Sequence, residues 1–100
     1  GLYAGATKTS NFSLEEARNR GFWRSYGMTN EAEDFATLTE AFVSCSREEM
    51  LEIVSRYTRL ENKYKLVYGY YKNLGIDPHE LYHYLKRRWE KLPTREPKCL

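Results

Sequence analysis

His79-Glu80-Leu81-Tyr82-His83 spells HExxH. The spacing has a chemistry: two imidazoles four residues apart on a helix reach one zinc ion, while the Glu between them activates water. The neighbouring residues argue against it. Asp77 and Pro78 put the string in the first turn of a helix rather than inside one, and the carboxylates downstream that could complete a ligand set are Glu90 and Glu96. A helical projection sets His79 and His83 opposite Leu81, Leu85 and Leu92, on the water side. A zinc peptidase is therefore the remote alternative, and no metal or cofactor is expected. Nucleophilic catalysis has less behind it. Ser44, Cys45 and Ser46 have no His near them in sequence, and there is no GxGxxG or GxxxxGK loop to cradle a phosphate. The chain reads as a binding module, not an enzyme.

The basic residues make the fuller pattern. Arg56, Arg59, Lys63 and Tyr70 project within roughly 60° of one another on a helix, away from its apolar stripe. Further on, Lys86, Arg87 and Lys91 share an outer face with His79 and His83, and Tyr84 lies beside them. Cations neutralise phosphates and release counterions, while Tyr and His rings stack on unpaired bases. These nine residues, Arg56, Arg59, Lys63, Tyr70, His79, His83, Lys86, Arg87 and Lys91, are the candidate nucleic-acid-binding set, with DNA ahead of RNA as the partner. An accessory domain of a larger replication or regulatory protein would fit, as would an initial Gly1 left by processing or excision from a longer chain. The alternative is a protein-interaction or oligomerisation module, with Leu66, Tyr70 or Trp23 left over for a partner.

Tyr68 to Lys91 resembles a helix-turn-helix unit, with Leu74-Gly75-Ile76 at the turn and Leu81 and Tyr84 or Leu85 at the apolar positions of the second helix. The resemblance implies that this second helix enters the major groove and aims His79, His83, Lys86 and Arg87 at DNA. Tyr71 departs from it, standing where that family has a small residue, and the first helix is too long.

Charge divides the chain. Residues 1–50 carry five Lys/Arg against eight Asp/Glu, and residues 51–100 carry eleven against six, so a net +2 is the sum of −3 and +5. The basic second half fits an anionic partner or an acidic first half packed against it. No apolar run approaches the length of a membrane span. The two cysteines, Cys45 and Cys99, have no partner at metal-ligand spacing and are expected as separate thiols in an intracellular, cytoplasmic protein.

The elements that position these residues are helices throughout. Ser46 and Glu49 form a capping box, Gly75 ends the pattern, and between them Met50, Ile53, Val54, Tyr57, Leu60, Tyr64, Val67, Tyr68, Tyr71 and Leu74 recur every three or four residues. This predicts one long central helix. Three shorter helices pack on it: one from Ser13 to Gly27, one from Asn30 to about Cys45, and one opened by Asp77 and Pro78 and stopped by Pro93. Gly21 and Gly69 are candidate points of close helix contact. The expected fold is an all-α four-helix bundle over residues 12–93, with residues 1–11 a flexible lead or linker and 94–100 a flexible tail.

Overall fold

Side-chain caps open three of the helices of the computed structural model, which describes Tyr3, residues 12–89 and Cys99 of the 100-residue chain. Helix α1 (Leu14–Asn19) begins where the Glu16 amide donates to Ser13 Oγ at 3.1 Å and the Glu16 carboxylate accepts from the Ser13 amide. Helix α2 (Glu31–Ser44) begins where the Glu33 amide donates to Asn30 Oδ1 at 2.9 Å. At α3 (Arg47–Ser55), Ser46 and Glu49 close the second reciprocal box, at 3.1 and 2.8 Å. Each box satisfies amides that a helix start leaves without a partner. Helices α4 (Thr58–Asn73) and α5 (Glu80–Trp89) complete an all-α bundle, and no strand occurs among the described residues.

Two expected helices are shorter in the structure. The central rod breaks at Arg56 and Tyr57: Tyr57 takes an extended conformation (φ −134°, ψ 106°) and α4 starts after it. Ser55 contributes to the break, since its hydroxyl donates to the Glu52 carbonyl at 2.8 Å, offering the backbone a local alternative to the helical ladder. The break lets α3 and α4 turn separate faces, Met50 and Val54 on one and Leu60, Tyr64 and Val67 on the other, into one core. The first helix ends at Asn19 rather than Gly27 because Gly21 adopts φ +96°, a left-handed conformation that closes the helix, and a 3-10 turn at Ser25–Met28 follows. Gly21 is also the close contact expected of it: a Cβ there would lie 3.1 Å from that of Arg59 on α4. At Gly69 nothing lies within 4 Å.

The main core joins Trp23, Leu38, Phe42, Cys45, Met50, Val54, Leu60, Tyr64 and Val67, and a smaller cluster of Ala17, Phe22 and Met28 carries Tyr3 and Phe12. Leu74, expected in the inward stripe, is exposed. Cys45, fully buried, is bonded to Cys99 across 54 positions, so the two expected thiols are a disulfide. Tyr3 and Cys99 are thereby both fixed to the bundle, Tyr3 through a hydrogen bond to Asp34. The remainder of the expected lead and tail, together with Lys91, Leu92 and Pro93, lies outside the described residues.

Candidate functional site

The expected cation face is interrupted where Lys63 and His79 turn inward, while Arg56 and Arg59 stay exposed. Lys63 on α4 reaches across to Asp34 on α2 at 2.8 Å and sits 3.7 Å from the centre of the Phe22 ring. Asp34 is buried, and a buried carboxylate is tolerated when a cation and hydrogen bonds compensate it, so Lys63 is held inward. Tyr3 OH donates to the same Asp34 oxygen at 3.0 Å; burial, with the carboxylate adding to it, pushes the Tyr3 phenol up to about 12. Arg56 pairs with Glu52 on α3 at 2.7 Å, and both remain exposed. Arg59 is exposed at the start of α4, with its stem against Gly21.

His79 is the clearest correction. It precedes α5 instead of lying on it, and it is 4% exposed, its ring set among Phe42, Tyr64 and Tyr68 with Nε2 2.7 Å from Tyr64 OH. Burial, reinforced by the Arg47 charge, pushes the imidazole below its ordinary value. Desolvation likewise raises the Tyr64 phenol. His83 is exposed, so the two histidines of the HExxH string share no face, and no group of three or more His, Cys, Asp or Glu among the described residues could hold a metal.

On α5, His83, Tyr84, Arg87 and Arg88 are exposed, with Arg88 donating to Tyr84 OH at 3.3 Å. Lys86 is half-buried near the Tyr82 ring. This helix packs on α2 and makes no helix contact with α4, which removes both the continuous two-helix basic face and the packed pair of a helix-turn-helix unit. Lys91 lies outside the described residues.

What α2 and α4 present together is apolar. Between them runs an open groove of about 730 Å³, lined by Ala32, Phe35, Leu38, Leu66 and Val67, with Glu31, Tyr3, Asp34 and Lys63 at its polar edge. Leu66 is 75% exposed and Tyr70 52%; the Tyr70 ring meets Phe35 edge-on at 5.4 Å. Leu66 and Tyr70 were legible as residues left over from the core, but Phe35 reads as core by its spacing. Trp23, the third expected leftover, is buried, with the Arg18 guanidinium 4.5 Å over its ring. In comparisons with known proteins, the chain matches no family model, no curated protein and no solved structure.

Proposed function

We propose that this domain is a protein-interaction module whose docking face is the groove between α2 and α4. The observation that carries the reading is the outward cluster of Phe35, Leu66 and Tyr70 above a floor of Leu38 and Val67. Isolated exposed apolar side chains are ordinary; several sharing one concave surface are characteristic of a partner site. Lys63 and Asp34 Oδ2 are paired at its edge, so their opposite charges offset each other there. The Cys45–Cys99 disulfide favours an oxidising compartment over the cytoplasm expected from the sequence. No helix among the described residues is long and apolar enough to cross a membrane.

The test is selection of helical peptides from a displayed library on the native protein, followed by counter-screening on Leu66→Glu. Peptides that lose binding to the variant support the reading. A selection that yields no binder, or only binders indifferent to Leu66→Glu, overturns it.

A second reading keeps the nucleic-acid partner but moves it to α5 alone, and its support is the exposed set His83, Tyr84, Arg87 and Arg88. The logarithm of affinity for an oligonucleotide would then fall linearly with log salt, and Arg87→Ala would reduce that slope by about one. Absence of binding at low salt ends this reading.

A further inference from the structure

We propose that the occupant of the groove is an amphipathic α-helix of a partner polypeptide, with a Lys or Arg beside its apolar stripe placed to meet Glu31; this rests on the docking reading above. The mode follows from what the surface offers. Strand addition needs an unpaired sheet edge, and the described residues contain no sheet. Two neighbouring helices with an apolar trough between them instead accept a third, whose side chains at i, i+3, i+4 and i+7 fall along one line.

Charge selects the flank. Three ionisable carboxylate or ammonium groups line the groove: Glu31, Asp34 and Lys63. Asp34 Oδ2 is engaged by both Tyr3 and Lys63, and Lys63 by Asp34, so these two charges offset each other, while Asp34 Oδ1 is buried without a hydrogen-bond partner. Glu31 is exposed on the α2 wall, and no cation among the described residues pairs with it. Glu31 thus offers the lining a carboxylate without a cation partner, offset only in part by the α2 N-terminus, next to which a basic flank is attracted and an acidic flank repelled.

The probes are three fluorescein-labelled helical peptides with the same leucine stripe, flanked by Lys, by Gln or by Glu, titrated by fluorescence polarisation at low salt. The Gln peptide binds, the Lys peptide binds about two- to fivefold more tightly, as an exposed ion pair allows, and the Glu peptide binds more weakly. Glu31→Lys inverts the order of the Lys and Glu peptides. Leu66→Glu weakens all three by about tenfold or more, since a buried leucine is lost and a charge put in its place. Both positions are exposed, and an unchanged circular dichroism spectrum verifies that each variant is folded.

If the Gln peptide binds and is lost with Leu66→Glu, but the order ignores Glu31→Lys, the charge inference fails and the docking reading stands. If no peptide binds, or if light scattering shows a dimer that Leu66→Glu dissociates, the partner helix is refuted.

Discussion

Cutting the Cys45–Cys99 bond is the most severe single covalent change that this chain offers. The cross-link spans 54 positions. By the loop-closure relation, a loop of that size removes about 14 cal/mol/K of entropy from the unfolded chain, or about 4 kcal/mol at 25 °C. Domains of this size have about 5–15 kcal/mol in total, so the bond supplies a large share. Cys99→Ser is the cleaner perturbation, because Cys45 is fully buried in the main core and replacing it would add a packing defect to the lost cross-link. Urea unfolding of Cys99→Ser should show a loss of about 4 kcal/mol, and thermal unfolding a drop of roughly 15–30 °C. Wild type in reductant should coincide with the variant, and the urea slope should steepen because the uncrosslinked chain exposes more surface when it unfolds. An unfolding free energy that reductant lowers by less than about 1 kcal/mol would refute the reasoning. So would alkylation of two free thiols in the native protein.

Three other outcomes follow from particular contacts. His79 is held neutral chiefly by burial, with the Arg47 charge adding to it and Asp77 and Glu48 opposing it. The folded state therefore binds fewer protons than the unfolded one once pH drops below the ordinary 6.5. Stability should be full above that value and fall by up to about 1.4 kcal/mol per pH unit below it, until the depressed folded value is reached; His79→Gln should flatten the fall in urea midpoints measured between pH 7 and 5. Asp34→Ala leaves the Lys63 ammonium without an anion and should cost about 3 kcal/mol, most of which Asp34→Ala/Lys63→Met should recover in the same urea assay. Gly69→Ala, on open surface within α4, should stabilise by about 0.5–1 kcal/mol, while Gly21→Ala at φ +96° should destabilise by about 1–2 kcal/mol, both read from thermal midpoints.

Local signals carried the helix starts, and long-range ones stayed hidden. Ser13, Asn30 and Ser46 cap where their spacing to Glu16, Glu33 and Glu49 says they should, because a cap is a contact across three residues. The break at Arg56 and Tyr57 was illegible for a physical reason: no Gly or Pro marks it, and the apolar stripe stays in phase from Val54 to Leu60 across it. His79 was projected onto α5, whereas its position in the preceding turn sends it into the core beside Phe42 and Tyr64. The partners of Cys45 and Lys63 lie 54 and 29 positions away, beyond any periodicity.

The difference between the expected and the observed face of α4 has one cause. Arg59, Lys63, Leu66 and Tyr70 share a face, and residue types alone gave the cations priority over the apolar pair. Burial reverses that order. An acidic Asp34 drawn into the bundle requires a nearby cation, and Lys63 is the one it is bonded to, so this charge is consumed inside the fold. What the face then presents to solvent along the groove is Leu66 and Tyr70 beside Phe35. No internal contact accounts for a leucine left 75% exposed on the open side of α4. The exposure is explained if the leucine is covered by another polypeptide, which is why Leu66→Glu is the substitution on which the proposed function turns.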